Sequence, residues 1–220
     1  IVVVDNIIPH EKRVGDKLLS KFFVKSVDGF VCMSKQVFND LELLDSKVNK
    51  INSYHPIYDN FGKSITKQQS ITNLKLNGDY KHILFFGIIR KYKGLDLLIK
   101  AFSKLKQEKI RLIIAGEFYD NQKYYLDLIQ SLDLDDSIIL KNEFIPDDMV
   151  VNYFCSCDIV AQPYKSATQS GVTQIAYHFD KPMLVTDVGG LAEIVKHGVS
   201  GYVCNPDVDS VYQSLNQHQD

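Results

Sequence analysis

Two short stretches of the sequence carry residues of the kind that bind phosphate groups. The first is GIIRKYKG at residues 87–94, in which Arg90 and Lys93 follow a glycine. The second is QPYKSATQSG at residues 162–171, whose small and polar residues precede a predicted helix that starts near Ser170. Lysine and arginine offer positive charge, and a helix start offers unpaired N–H groups at the positive end of the helix dipole. Together the two stretches predict a binding site for a diphosphate.

Each stretch also has an ordinary structural explanation. Lysine and arginine after a strand commonly lie on a solvated face, and small polar residues before a helix are an N-cap signal by themselves. What favours ligand binding is that both stretches follow predicted strands. Ligands of open parallel sheets bind outside the carboxyl ends of the strands, so the two stretches can meet at one edge.

The elements that position these stretches are short runs of β-branched and aromatic residues, which alternate with helical patterns. The nine predicted strands are Ile1–Val4, Phe30–Met33, Lys50–Ser53, His82–Phe86, Arg111–Ala115, Ser137–Leu140, Ile159–Ala161, Pro182–Thr186 and Gly201–Val203. Apolar stripes predict helices between them, for example one with Leu95, Leu98, Phe102 and Leu105 on its buried face. This alternation predicts an α/β fold with a Rossmann-like, doubly wound parallel sheet.

A turn-rich segment, Tyr54–Ser64, predicts a linker between two domains. Only about three strands precede it, too few for an independent sheet that is covered on both faces. We therefore predict that residues 1–60 are the remnant of one Rossmann-like domain and that residues 61–220 form most of a second. The IVVV run at the start is typical of a strand inside a sheet, so we expect that the sequence begins inside a larger protein.

The composition is that of a globular protein, with 45% hydrophobic residues, 24% charged residues and a formal net charge of −2 over 220 residues. These proportions exclude disorder and a fibrous repeat. A near-neutral charge gives no general attraction to nucleic acid. No apolar run reaches the ~18 residues that span a bilayer. The four cysteines lack a metal-binding pattern and are predicted to be free thiols, which indicates a cytoplasmic location.

Five segments, in this order and spacing, carry a resemblance to a known family. They are HILFFGIIRKYKGLDLLIKAF, RLIIAGE, FIPDD, DIVAQPYKSATQSGVTQIAYHFDKPMLVTDVGGLAEIV and HGVSGYV. They resemble the donor-binding half of the group 1 (glycogen-synthase-like) family of retaining nucleotide-sugar glycosyltransferases, which have the GT-B fold. The similarity is strong over about residues 80–206 and extends weakly back through SVDGFVCMSKQVFNDL. It implies that a nucleoside-diphosphate sugar lies between two Rossmann-like domains.

The resemblance assigns roles to individual residues. Lys93 matches the diphosphate lysine of the family, whereas Ile88 occupies the position of the family's arginine, so Arg90 is the expected replacement. The backbone around Phe144 and Ile145 would meet the base. The remaining diphosphate contacts would come from the N–H groups at the start of a helix, namely those of Ser170, Gly171, Val172 and Thr173.

One departure from the family concerns a pair of glutamates that are separated by seven intervening residues. The corresponding positions are Ala167 and Ile175, so both carboxylates are absent. Contacts with the donor sugar or ribose would then come from other groups, and Gln169, Ser170 and Gln174 are the candidates. Either this chain is a branch that uses SATQSGVTQ instead, or it is a degenerate protein. We favour the branch, because the segment remains polar and rich in small residues.

The resemblance implies that the whole enzyme transfers a sugar from a nucleoside diphosphate to an acceptor hydroxyl, with retention of configuration. The product would be a cell-surface polysaccharide or glycolipid, and the acceptor a glycan or a lipid-linked sugar. No metal cofactor is expected. No catalytic residue is assigned, since retaining chemistry in this family is not thought to need a base. This chain alone is expected to bind donor weakly and to turn over nothing.

Other functions remain as alternatives. The first is a non-catalytic nucleotide-sugar-binding or scaffold module of the same fold, and the second is a sugar-nucleotide epimerase. A dinucleotide oxidoreductase is disfavoured because no GxGxxG follows a strand. Two DxD triplets, at 133–135 and 207–209, match a metal-binding pattern of other glycosyltransferases. Neither triplet follows a strand, so both are predicted to be surface acids.

A basic stripe near the start of the chain could contact a membrane. It consists of Arg13, Lys17, Lys21 and Lys25 and lies beside the apolar residues Val14, Leu18, Phe22 and Phe23. This pattern fits a helix on an anionic lipid surface or near a lipid-phosphate acceptor. It is also typical of the solvated face of an ordinary amphipathic helix, which is the more common case.

Overall fold

Parallel strands and helices alternate along the chain. A computed structural model describes residues 1–9, 14–45, 47–105 and 109–217. The strands are β1 (Val2–Val4), β2 (Phe30–Cys32), β3 (Lys50–Asn52), β4 (Lys81–Phe86), β5 (Ile110–Ala115), β6 (Ile138–Lys141), β7 (Ile159–Gln162), β8 (Met183–Thr186) and β9 (Gly201–Cys204). The helices are α1 (Asp16–Lys25), α2 (Lys35–Leu44), α3 (Lys67–Leu74), α4 (Leu95–Phe102), α5 (Gln122–Ser131), α6 (Asp147–Ser156), α7 (Gly171–His178), α8 (Leu191–Ile194) and α9 (Val208–Gln217).

The strands form two sheets in which every pairing is parallel. One sheet has three strands in the order β1-β2-β3, and the other has six strands in the order β6-β5-β4-β7-β8-β9. The predicted α/β class and doubly wound sheet are thus confirmed. In the larger sheet the strand order reverses between β4 and β7, which lie side by side. Ligands of such sheets bind where the order reverses.

Helices cover both faces of the six-stranded sheet, which explains its nearly continuous apolar strands. Successive residues of β4 point to opposite faces. Ile83 and Phe85 pack in the cluster that contains α4, α5 and α9, whereas Leu84 packs in the cluster that contains α6 and α7. The carboxyl end of β4 is therefore held between two cores, and the loop that follows it starts from a fixed position.

The three-stranded sheet is covered on one face, where α1 and α2 pack against Phe30 and Cys32. On the other face, Val3 and Ile51 are 60% and 62% exposed. The predicted linker, Tyr54–Ser64, separates this sheet from the larger one. The domain boundary at residue 60 stays a prediction.

The two parts of the chain meet at the start of α2. The backbone N–H of Lys35, in the first turn of this helix, donates a hydrogen bond to Glu193 Oε2 at 3.2 Å. Glu193 lies on α8, in the six-stranded part. This hydrogen bond joins α2 of the N-terminal part to α8 of the six-stranded part.

Two further findings concern small features of the chain. All four cysteines are free thiols, although Cys204 is only partly buried. Among the described residues, no helix is both long enough and apolar enough to cross a membrane.

Candidate functional site

The loop after β4 and the start of α7 converge at the point where the strand order reverses. Gly87, directly after β4, has a φ of 92°, a left-handed conformation that favours glycine. A Cβ atom placed on Gly87 would lie 3.5 Å from Lys93 Nζ and 3.7 Å from Val172 Cγ2. The ammonium of Lys93 and the first turn of α7 therefore flank the same glycine. The two stretches that are predicted to bind a diphosphate therefore lie on two sides of one glycine.

Lys93 lies in a short 3-10 turn between β4 and α4, and its side chain is half-buried. Its Nζ is 5.7 Å from the centre of the Tyr164 ring. Burial lowers the pKa of the Lys93 ammonium; of the smaller electrostatic effects, that of Tyr92 raises this pKa and that of Arg90 lowers it. Among the described carboxylates, none forms an ion pair with Lys93. This ammonium is therefore poorly solvated, and a bound anion would stabilise its charge.

The start of α7 offers backbone donors on the other side of Gly87. Ser170 is the N-cap residue, and no side chain from the described part of the chain caps the helix. The Ser170 hydroxyl is instead hydrogen-bonded to the Tyr164 hydroxyl at 3.2 Å. The Thr173 N–H donates to the Ser170 carbonyl at 3.1 Å, and its hydroxyl donates to Gln162 at 3.0 Å. Because the Thr173 N–H already has a partner, the backbone N–H groups that remain as candidates for binding a diphosphate are those of Ser170, Gly171 and Val172.

Arg90 lies on the same edge of the sheet but extends toward the loop after β5. Its guanidinium carbon is 5.3 Å from the centre of the Tyr119 ring. The position that the family fills with arginine, Ile88, is 44% exposed beside Gly87. Arg90, the expected replacement for the family's arginine, thus lies with its guanidinium near the Tyr119 ring.

The residues predicted to meet the base lie at the carboxyl end of β6. The ring of Phe144 is 68% exposed, whereas Ile145 is buried in the core below it. The loop after β5 lies between this segment and Lys93, since the Tyr119 N–H donates to the Ile89 carbonyl at 3.0 Å. The loops after β4, β5 and β6 therefore follow one another along the same edge of the sheet, and the exposed ring of Phe144 lies at the β6 end.

Gln169 and Gln174, the predicted sugar or ribose contacts, lie elsewhere. Both line a small pocket of about 90 Å³ that faces the N-terminal part of the chain and also includes His55. Residues two apart on a helix point about 200° apart, so Gln174 lies on the opposite face of α7 from Val172. The structure does not bring these glutamines together with Lys93.

A larger cleft of about 390 Å³ separates the two parts of the chain. The N-terminal wall includes Ile8, Gln36 and Asp40, and the opposite wall is the segment Lys165–Thr168. This segment runs directly into the start of α7. Ala167, which stands where the family has a glutamate, is only 6% exposed and packs in the apolar core. Ile175 is equally buried, so apolar, largely buried side chains stand at both positions, although Ala167 also lines the cleft.

Sequence reasoning missed two tyrosines of this region. Tyr58, from the predicted linker, covers the start of α7, since a Cβ atom on Gly171 would lie 2.9 Å from Tyr58 Cε2. Its hydroxyl is 3.1 Å from His55 Nε2, and burial raises its pKa. Tyr164, between Lys93 and Ser170, has a pKa that burial raises to about 12. The only sequence signal for Tyr164 is its place directly after QP in the second phosphate-binding stretch.

The remaining predictions concern metals and the basic stripe. Within the described residues, no group of three or more His, Cys, Asp or Glu side chains could hold a metal ion. Asp207, in one of the two DxD triplets, instead accepts hydrogen bonds from Ser210 at the start of α9. The three described lysines of the stripe lie on the exposed side of α1, beside Leu18 and Phe22, which are 75% and 72% exposed. Arg13 lies outside the described residues.

Comparison with known proteins gives consistent results. The model of the family described as "Glycosyl transferases group 1" matches residues 66–217. An uncharacterized glycosyltransferase of Methanocaldococcus jannaschii is 34% identical over 139 residues, which are 61% of this chain and 35% of that protein. The lipopolysaccharide 1,2-N-acetylglucosaminetransferase of Salmonella typhimurium is 28% identical over 159 residues, which are 66% of this chain and 40% of that protein.

A solved structure shows the same fold at low sequence identity. Anabaena HepE, crystallised in complex with UDP and glucose, has a TM-score of 0.82 and 17% identity. The match covers 99% of this chain and 61% of HepE. The chain thus spans between about a third and two thirds of the length of these three proteins.

Proposed function

The chain belongs to the group 1 glycosyltransferase family, and on this basis we propose that it is the donor-binding part of a sugar-transferring enzyme. The enzyme transfers a sugar from a nucleoside-diphosphate sugar to an acceptor hydroxyl. One observation carries the proposal, namely that Lys93 and the first turn of α7 flank Gly87 at the point where the strand order reverses. A cation and free helix N–H groups on two sides of one space suit a diphosphate.

The chemistry follows from the charge that develops when the bond between sugar and phosphate breaks. The departing diphosphate gains negative charge in the transition state. Lys93 and the N–H groups of Gly171 and Val172 are already in position, so they need no reorganisation to stabilise that charge. Because the Lys93 ammonium is partly buried, its attraction to the leaving group is screened less than on an open surface.

The rest of the donor extends in opposite directions from the diphosphate. The base lies toward Phe144 and Ile145, and the sugar enters the 390 Å³ cleft that begins two residues before Ser170. The acceptor approaches from the N-terminal wall of the cleft. The crystallised complex of HepE with UDP and glucose supports a nucleotide-sugar donor.

The finer functional assignment is transfer with retention, in the synthesis of a cell-surface polysaccharide or glycolipid. The named activity of the Salmonella relative, which acts on lipopolysaccharide, supports this assignment. We also propose that no metal ion is needed, because Lys93 and the helix start supply the positive charge at the diphosphate. Treatment with a chelator should leave nucleotide affinity unchanged, and a loss of affinity that Mg²⁺ or Mn²⁺ restores would contradict this.

A thermal-shift screen tests the proposal directly. The chain is heated with the diphosphates of uridine, guanosine and adenosine and with their sugar conjugates. We expect an increase of several degrees in melting temperature for one base and its conjugates, because ligand that binds only the folded state raises its stability. If none of these nucleotides changes the melting temperature at millimolar concentration, the proposal is wrong.

A second candidate function is a nucleotide-sugar-binding module without catalysis. It is favoured by the buried, apolar setting of Ala167 and Ile175, where the family has glutamates. Both candidates predict nucleotide binding, so binding does not separate them. Product formation by the complete polypeptide does, since a binding module would release no nucleoside diphosphate from the donor.

We further propose that α1 lies on the anionic inner face of the cytoplasmic membrane. Its exposed side divides into a basic strip, with Lys17 and Lys21, and an apolar strip, with Leu18 and Phe22. Such a helix can insert apolar side chains among acyl chains while its lysines contact lipid phosphates. The chain should sediment with vesicles of anionic lipid at low salt and not with zwitterionic vesicles. Equal recovery in the supernatant with both would refute membrane contact.

A further inference from the structure

The cleft between the two parts of the chain has a carboxylate on its N-terminal wall. Asp40, in the middle of α2, is the one acidic side chain among the described residues that line the cleft. Asp40 and the segment Lys165–Thr168 both line this space of about 390 Å³. A space of this size accommodates a single sugar ring together with part of an acceptor.

Asp40 is held in place by its own helix. The residue is 7% exposed, and the side-chain amide of Gln36 donates a hydrogen bond to Asp40 Oδ1 at 2.9 Å. Gln36 lies one helical turn earlier and also lines the cleft. A carboxylate with a fixed orientation at the wall of a cleft can act as a precise acceptor for hydroxyl groups, because little side-chain freedom is lost on binding.

The opposite wall lacks a comparable acceptor. Ala167 has no polar side-chain atom, and the ammonium of Lys165 is paired with Asp96 at 2.7 Å. Two hydroxyl-bearing residues, Ser166 and Thr168, also line this wall. Sugar hydroxyls need strong acceptors as well as donors, and an ionised carboxylate is the strongest acceptor that a protein has.

We propose that Asp40 binds hydroxyl groups of the transferred sugar, and that it supplies from the N-terminal wall the carboxylate that Ala167 cannot supply. This inference rests on the proposed function, because it assumes a nucleoside-diphosphate hexose as ligand. The two oxygens of one carboxylate can accept hydrogen bonds from neighbouring hydroxyls of a pyranose ring. The segment Lys165–Thr168 leads into Ser170, so a sugar in this cleft is adjacent to a diphosphate at the start of α7.

The test separates binding of the sugar from binding of the nucleotide. Calorimetry measures Kd for UDP and UDP-glucose, and for GDP and GDP-mannose, with the chain and with Asp40→Asn. Asparagine has nearly the same shape, and its carbonyl oxygen can still accept the hydrogen bond from Gln36, so the variant loses the charge and one acceptor oxygen, which becomes an NH2 donor. The matched control is Glu42→Gln on the same helix, since Glu42 is exposed and pairs with Lys50 at 2.5 Å. Melting curves verify that each variant is folded.

For whichever nucleotide and sugar nucleotide the chain binds, we expect Asp40→Asn to raise Kd for the sugar nucleotide about 10- to 100-fold more than Kd for the free nucleotide. Glu42→Gln should leave this ratio unchanged. If Asp40→Asn weakens the binding of both ligands equally, or changes the binding of neither, the role of Asp40 is wrong and the proposed function still stands. If the unmodified chain binds no nucleotide, the proposed function fails and the inference fails with it.

A second measurement does not depend on the folding of a variant. Deoxy-sugar analogues of the bound donor, each lacking one hydroxyl, are titrated into the unmodified chain. We expect one analogue, or two neighbouring ones, to bind about 10-fold or more weakly, because a charged hydrogen bond is lost. If every deoxy analogue binds as tightly as the parent donor, no carboxylate contacts the sugar and the inference is wrong.

Discussion

Replacement of Lys93 by methionine should affect nucleotide binding and stability in opposite directions. Methionine retains most of the unbranched apolar stem and removes the charge. In the unliganded protein the charge is costly, since burial lowers the pKa of the ammonium and no described carboxylate pairs with it. The variant should therefore melt at the same temperature as the parent or slightly higher.

The position of the Lys93 ammonium indicates how much nucleotide affinity Lys93→Met should lose. Lys93 Nζ lies 3.5 Å from the Cβ position of Gly87, so it reaches a phosphate beside that glycine. A hydrogen bond between charged groups contributes about 1.5–3 kcal/mol, and the half-buried setting favours the upper part of this range. We expect Kd for the nucleoside diphosphate to rise about 10- to 100-fold in Lys93→Met.

Calorimetric titration with the nucleoside diphosphate measures the affinity, and calorimetric melting measures the stability. Lys91→Met is the matched control, because Lys91 lies in the same 3-10 turn and is exposed. It should change Kd by less than about threefold, as expected for a screened surface charge. A Lys93→Met protein with the affinity of the parent, or one in which both lysine variants weaken binding equally, would refute the role given to Lys93.

Three further predictions concern single side chains of the fold and the site. Gly171→Ala should destabilise the protein by about 1–3 kcal/mol, because the added methyl group would lie 2.9 Å from Tyr58 Cε2. Denaturant unfolding measures this loss. In the double variant Gly171→Ala/Tyr58→Ala, the second substitution should remove most of the destabilisation that Gly171→Ala causes. Burial lowers the pKa of His82, whose ring nitrogens have no hydrogen-bond partner among the described residues. As the pH falls, the imidazole of His82 therefore binds a proton in the unfolded chain before it does so in the folded protein. The free energy of unfolding should fall as the pH drops below about 6.5, and less so in His82→Leu; a pH dependence that is identical in both proteins would contradict this. Ile88→Arg should raise nucleotide affinity about 10-fold in calorimetry, because the Ile88 side chain is 44% exposed beside Gly87. An unchanged Kd would mean that an arginine at this position does not reach the phosphates.

The fold could be predicted in most respects because its strands are buried on both faces. Such strands are short apolar runs, and each of the nine predicted runs is a strand within one or two residues at each end. Helix ends were harder to predict. The apolar stripe on α4 continues to Leu105, but the helix ends at Phe102, since the turn that follows is closed by hydrogen bonds from Lys104 and Leu105. Local hydrogen bonding, and not apolar periodicity, decides where a helix stops.

The site could be predicted only where its residues follow strands. Lys93 and Ser170 were found because they lie after β4 and β7, although the sequence does not say that these two strands are neighbours. Asp40 and Tyr58 come from distant segments, and only the tertiary structure brings them to the cleft and to α7. Helix periodicity places Gln174 and Val172 on opposite faces of α7, but packing with both parts of the chain decides which face lies beside Lys93 and which faces the N-terminal part.

The central claim is that Lys93 and the start of α7 hold one diphosphate between them. A crystal structure of this chain with a bound nucleoside diphosphate tests the claim most directly. It should contain a phosphate oxygen within about 3.2 Å of Lys93 Nζ and another within the same distance of the Gly171 or Val172 nitrogen. A nucleotide bound at any other place, or a diphosphate that contacts only one of the two, would contradict the claim.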